Sequence, residues 1–414
     1  MQEILAGILS GVTSLSFGNV IMFAIGGILI YLAIKKDYEP MLLLPIGFGA
    51  ILCNMPLASV LVGDAKLDTF VTEFVLKNPA AQSFFEQHLH YTFEAGNAFF
   101  AEPGVLTSLF NAGIANELFP VLIFVAVGAM IDFSPLFRNP IMIFFGAAAQ
   151  FGIFMTILVA SLFFDLKTAA AIGIIGAADG PTAIYVASRF AKDYLGPISV
   201  AAYSYMSLVP IIQPPVIKLC TTKAERMIRM DDMGERVSKP ILILFPIFVT
   251  IISGIVAPIS VPLVGLLMFG NLIRECGVLT RLSNAAQNEL ANLVTLLLGI
   301  TIGSTMTAEA FLKPTTLIIL LLGLFAFIFD TAGGVFFAKL INLFLKDNKK
   351  INPMVGAAGI SAFPMSSRVI QKMCSKEDPT NFILMQAVSA NVAGQLGSII
   401  AGGLVLAVVP ILVR

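Results

Sequence analysis

Charge is what this 414-residue chain has least of: Lys, Arg, Asp and Glu together make up 12% of it, about half of the roughly 25% usual in soluble domains. Beside 57% hydrophobic residues and a mean hydropathy of +0.92, that scarcity excludes a water-soluble enzyme. It also empties the length of meaning, which would otherwise suggest roughly three domains of about 150 residues. Neither sign is in excess, with 25 basic against 25 acidic residues, so no phosphate-binding surface is marked and nucleic acid is excluded as a partner. Cysteine is scarce too. Cys53, Cys220, Cys276 and Cys374 stand apart, with no Cys-x-x-Cys pair and no histidine at ligand spacing, so neither a disulfide framework nor a zinc site is suggested. The two histidines, His88 and His90, lack a third ligand and read as solvated or interfacial.

What the chain has in place of charge is long apolar runs. Stretches such as Phe17 to Ile34 and Ile141 to Phe164 have the length of helices rather than of barrel strands, so the fold class is an all-α polytopic membrane protein. The first run has no basic residue ahead of it and is read as a span, not as a signal peptide. Nine to eleven transmembrane helices are expected, with two discontinuous or re-entrant segments. The organisation read along the chain is residues 1–63 as N-terminal membrane helices, 64–117 as a polar insertion, interfacial loop or surface helix, 118–239 as a first broken-helix repeat with a cytoplasmic loop, and 240–413 as a second membrane half with a second broken helix. The basic cluster Lys218, Lys223, Arg226, Arg229, Arg236 and Lys239 places its loop in the cytoplasm. Basic residues on both sides of Asn352–Arg368 suggest that this segment enters and leaves on the same side.

Two segments put Gly and Pro inside membrane-like sequence: GIIGAADGPTAIYVASR, from Gly173 to Arg189, and NPMVGAAGISAFPMSSR, from Asn352 to Arg368. Each has a Gly-Ala-Ala core, and each precedes an apolar segment marked by polar residues, which reads as an internal, inverted repeat. A broken helix exposes carbonyls that can hold a cation and amides that can hold an anion. The alternative is a proline kink packed on glycine-rich neighbours. Asp179 favours a site, since a lipid-exposed carboxylate costs about 3 kcal/mol on insertion scales. Sodium suits carboxylate, hydroxyl and carbonyl oxygens, and a proton is its competitor. Tyr205, Ser207, Asn352, Ser361, Ser389, Asn391 and Ser398 could complete a shell or bridge helices structurally. Tyr205 can also donate a proton, its ordinary pKa being about 10. Asp330, Asp132 and Glu309 are further acids in or near apolar sequence, Asp330 the strongest of them.

These segments, together with YLAIKKDYEPMLLLPIGFGAILCN, VGAMIDF, YSYMSLVPIIQPP, FDTAGGVFFAKL and SANVAGQLGS in this order, resemble the beta subunit of the sodium-pumping, biotin-dependent decarboxylases that act on oxaloacetate, methylmalonyl-CoA or glutaconyl-CoA. The resemblance implies a subunit of the bacterial cytoplasmic (inner) membrane that decarboxylates carboxybiotin with consumption of a proton and export of sodium. The carboxybiotin would be presented by a separate biotin carrier protein or domain and not be held covalently by this chain. A carboxyltransferase alpha subunit and a small membrane subunit of gamma or delta type are the other implied partners, and a homo-oligomer is left open. Asp179 then resembles the sodium-site and coupling residue and Tyr205 the group of proton delivery. Asn352, Ser361 and Asn391 resemble sodium-site components, with Gly356, Asp330 and Ser398 as secondary candidates. Residues from about Asp64 to Pro103 depart from the family as a longer, more polar connector. A freestanding sodium-coupled carrier or exchanger is the alternative function, since it would use the same broken helices.

Overall fold

The computed structural model describes residues 15–36, 40–56, 91–94, 97–100, 104–230, 237–346, 349–362 and 364–413. Among these residues five helices are long and apolar enough to cross a membrane: Phe17–Lys36, Met142–Ala160, Thr280–Gly303, Pro314–Asn342 and Leu384–Leu412. Two pairs, Val105–Ala115 with Leu118–Met130 and Lys192–Met206 with Val209–Cys220, qualify only when taken together across a bend, giving up to seven spans. That is fewer than the nine to eleven expected, because the apolar runs at Pro40–Cys53, Leu166–Ala177 and Lys239–Ile255 form helices of 10–17 residues, short of the about 20 that a hydrocarbon core requires.

The chain divides into two compact units. The first holds α1 (Phe17–Lys36), α2 (Pro40–Cys53) and residues 296–313. Asn54, just beyond α2, ties that unit together. Its amide donates to the carbonyls of Ala50 and Met306, each at 2.7 Å, and its oxygen accepts from the Ala308 amide at 2.7 Å. Asn54→Ala leaves these buried groups unpaired and is expected to cost about 1–3 kcal/mol, read as a lower unfolding midpoint in detergent. Where the insertion is described it is part strand and part helix: β1 (Tyr91–Glu94) pairs antiparallel with β2 (Asn97–Phe100), and Val105–Ala115 is helical. Over the strand pair, aromatic, β-favouring residues on either side of a glycine override the expectation of a surface helix. His88 and His90 lie outside the described residues.

The second unit carries the broken helices. Its elements include α3 (Met142–Ala149), α4 (Phe151–Ala160), α5 (Leu166–Gly173), α6 (Gly180–Phe190), α7 (Leu195–Ser207), α8 (Val209–Cys220), α9 (Pro314–Asn342), α10 (Pro353–Ala357), α11 (Met365–Glu377) and α12 (Leu384–Leu412). Segment α5–α6 is a hairpin whose ends are held together by the edge-to-face pair Phe164–Tyr194, with centroids 5.8 Å apart. Segment α10–α11 is a second hairpin, and both of its ends fasten to one residue of the basic loop. Asn352 donates to the Arg226 carbonyl at 2.9 Å, and Glu377 pairs with the Arg226 guanidinium at 2.8 Å. The same loop is pinned again by Arg229 on Asp378 at 2.8 Å. Hydrogen bonds from Thr380 and the Arg229 charge hold the Asp378 carboxyl down to about 2, so this clamp stays ionised throughout the neutral range.

Contacts along α12 show how the hairpins are arranged. Starting from its basic-loop end, α12 meets the second hairpin at Asn391 and Gly394, then Asp179 at Gln395 and Ser398, then Thr182 of α6 at Gly402. The hairpins therefore approach from opposite ends of α12, and their tips touch where the Ser361 amide donates to the Ala177 carbonyl at 3.0 Å. Apolar lining with few charges lets the hairpins enter, and the tip-to-tip bond satisfies backbone groups that lipid could not.

Candidate functional site

The first break follows from local sequence. After α5 the chain tightens into a 3-10 turn at Ile174–Ala177, and Ala178 sits in the left-handed region at φ 52. Asp179 is then extended and caps α6, with Pro181 in the first turn, the position where a missing amide costs nothing. The left-handed Ala178 stores strain of about 1–2 kcal/mol. Ala178→Val should lower the unfolding midpoint through added β-branched strain and crowding, whereas Ala178→Gly should not lower it. Gly180 is fixed by a neighbour: the Tyr203 ring fills the space that a Cβ would need.

The carboxylate of Asp179 is 3% exposed. Onto its Oδ2 converge the hydroxyls of Thr182 and Ser398, each at 2.7 Å, and the amide of Gln395 at 3.3 Å, while the Thr182 backbone amide reaches Oδ1 at 3.3 Å. Asn391, Gln395 and Ser398 recur at helical spacing and form one polar face of α12. Asn391 donates to the carbonyls of Ala358 and Ile360 at the second tip, and its own side-chain oxygen is buried without a hydrogen-bond partner. Ser361 donates to the Gly394 carbonyl at 3.0 Å. Two tips and one helix thus gather a carboxylate, hydroxyls and an open amide oxygen in a dry interior.

Other expected residues lie elsewhere in the same unit. Asn352 caps α10 and spends its amide on the carbonyls of Arg226 and Ile228, so it anchors the base of the second hairpin. Gly356 presses against Gly334 of α9, backbone to backbone. Tyr205 donates to the Leu320 carbonyl, and its ring lies against Gly323; the tyrosine beside Asp179 is Tyr203. Ser389 donates to the Pro135 carbonyl at 2.9 Å and Asp132 pairs loosely with Arg274 at 3.8 Å. The side chain of Ser207 lies outside the described ones. Sequence reading missed Thr182 and Gln395. Both were signalled: Thr182 by its place three residues after a capping Asp, Gln395 by being an amide in an apolar run one turn before Ser398.

No group of three His, Cys, Asp or Glu able to hold a metal exists among the described residues, and the Asp179 cluster offers oxygens, the ligands of hard cations. Fold and site together define a polytopic membrane protein with a buried, oxygen-lined polar cluster where two broken helices meet. The profile of the family described as "Na+-transporting oxaloacetate decarboxylase beta subunit" matches residues 18–409, and the chain belongs to that family. It is 47% identical over 399 residues to the methylmalonyl-CoA decarboxylase subunit beta of Propionigenium modestum, covering 96% of each chain. It is 46% identical over 401 residues to the glutaconyl-CoA decarboxylase subunit beta of Acidaminococcus fermentans, covering 97% and 96%. It is 44% identical over 425 residues to the oxaloacetate decarboxylase beta chain of Klebsiella pneumoniae, covering 96% of each. The protein is accordingly a multi-pass inner-membrane subunit of a sodium-translocating, biotin-dependent decarboxylase. Nothing supports the freestanding carrier.

Proposed function

We propose that sodium binds at the Asp179 cluster and that its binding enables decarboxylation of carboxybiotin brought by a separate biotin carrier. The observation carrying this reading is the convergence of the Thr182, Gln395 and Ser398 donors on one carboxylate oxygen inside a helix break. A hydroxyl donates and accepts. With sodium on Asp179, Thr182 and Ser398 rotate their protons away and offer lone pairs, while the open Asn391 oxygen and the Ser361 hydroxyl oxygen extend the shell. Asn352 and Gly356 hold the second hairpin in register for that shell. In decarboxylation the C–N bond to the ureido nitrogen breaks, carbon dioxide leaves, and the nitrogen keeps the electron pair and takes a proton, with Tyr205 on the path of proton delivery. Because a carboxylate does not favour sodium and a proton together, occupancy couples the two. The partners are the carrier, a carboxyltransferase alpha subunit and a small gamma- or delta-type membrane subunit, with this chain able to pair with copies of itself.

The test is the intact complex in vesicles, assayed for carboxybiotin decarboxylation and sodium uptake together. Sodium-stimulated turnover with accompanying uptake is expected. Equal turnover without sodium would overturn the reading.

A further inference from the structure

Asp179 has a counterpart with the opposite surroundings. Asp330 of α9 is 0% exposed, and neither of its oxygens has a side-chain hydrogen-bond partner. Its position is defined by two glycines. A Cβ on Gly152, at the start of α4, would collide with Oδ1, and one on Gly176, three residues before Asp179, would meet Oδ2 at 2.6 Å. One turn further along α9, Gly334 meets Gly356 of the second hairpin. The carboxyl therefore lies against the first break and next to the contact that seats the second.

Four donors surround Asp179 and suit it to negative charge, whereas Asp330 meets no side-chain donor and only the Gly152 and Ile153 backbone amides at the start of α4. An ionised carboxylate without side-chain partners in a dry interior is costly, and such a group keeps its proton instead. Paired acids in contrasting environments divide the work between charged and neutral forms. Sodium is poorly served at Asp330: a hard cation takes several oxygen ligands, and the neighbours that fix the carboxyl in place are the glycines at 152 and 176, which bring no side-chain oxygen. Of the elements packed against α9, α3, α4, α10 and the 3-10 turn carry no titratable side chain. α5 carries only Lys167 at its exposed start, α7 carries Tyr203 and Tyr205, and α8 carries Lys218 and Cys220 in its last turn. Lys339 of α9 itself is paired with Glu225 at 3.0 Å.

We propose that Asp330 is a proton-binding site of the transport cycle, neutral at rest and ionised once in each turnover, while Asp179 serves the cation. The O–H bond of Asp330 breaks and a proton from water restores it. The carboxylate left in between faces the amino-terminal end of α4, whose dipole favours negative charge. The destination of the proton, the ureido nitrogen that keeps the electrons of the broken C–N bond, rests on the decarboxylase reading above.

Infrared difference spectroscopy of the intact complex tests this. The resting complex should show the C=O stretch of a protonated acid that is absent from D330N and displaced in D330E, and turnover with sodium should bleach it. D330N should bind sodium as the parent does yet decarboxylate about 100-fold more slowly, the scale of a lost acid–base group, with D330E recovering part of the rate. An identical resting band in D330N, or in D330E should D330N not assemble, overturns the proposal. So does D330N turning over at the parent rate with the parent pH profile. The resting spectrum needs no substrate, so its failure sinks the Asp330 assignment alone, whereas a parent complex without sodium-dependent turnover sinks the decarboxylase reading.

Discussion

Asp179→Asn is expected to abolish the sodium stimulation of decarboxylation and to lower turnover in the intact complex by about 100-fold or more, the scale of losing a preorganised electrostatic partner. The substitution is nearly isosteric. Asparagine's oxygen can still accept from the Thr182 and Ser398 hydroxyls that sit 2.7 Å from Oδ2, so the fold should survive, and what disappears is the charge. The amide of Gln395 would then face a neutral group, which fixes the hydroxyl protons toward residue 179 and leaves no reason for them to turn toward a cation. Asp179→Glu should not rescue the function, because a 3%-exposed site packed between two hairpin tips and α12 has no room for a methylene without displacing one of them. Ser398→Ala should cost less, about tenfold, since Thr182 still donates. Initial rates against sodium concentration separate these outcomes, and an Asp179→Asn complex with unaltered sodium dependence would sink the assignment.

Gly356→Ala is expected to cut activity by about 10- to 100-fold and to raise the sodium concentration needed for half-maximal rate. The added methyl would run into the Gly334 carbonyl. That obstacle is backbone and cannot rotate away, so α10 must move off α9, at a cost of about 1–3 kcal/mol for overpacking. The displacement is transmitted along the hairpin to Ile360 and Ser361, which hold Asn391 and the Ala177 carbonyl, and small misplacements of a site cost rate steeply. Gly334→Ala should behave alike. Gly27→Ala is the control, because nothing lies within 4 Å of its Cβ. A parent-like sodium response in Gly356→Ala would show that the α9–α10 contact does not govern the site.

Much of this arrangement is legible in the residues. The position of Asp179 before Gly-Pro foretells a capped helix start inside an apolar run, because only a cap satisfies the amides exposed there. The paired Gly-Ala-Ala segments foretell two breaks, and the basic residues flanking Asn352–Arg368 foretell a hairpin entering and leaving on one side, which Arg226 now fastens at both ends. Less legible is which polar residue meets which. Asn352 looks like a site ligand by its motif, yet it sits at the base of the hairpin on the Arg226 and Ile228 carbonyls. Tyr203 and Tyr205 are two positions apart, and it is Tyr203 that packs on the residue after Asp179, because successive odd positions on a helix face different neighbours.

The sequence by itself determines the membrane class, the existence of two interruptions and the isolation of Asp179 in apolar surroundings. Each follows from composition and local backbone chemistry, which act within a few residues. Only the tertiary structure decides that the tips meet at Ser361 and Ala177, that Gln395 and Ser398 close on Asp179 from more than two hundred positions away, and that Asp330 is left without a side-chain donor. A carboxyl's charge state depends on the donors brought to it, and those donors are supplied by the packing of helices that no local pattern specifies.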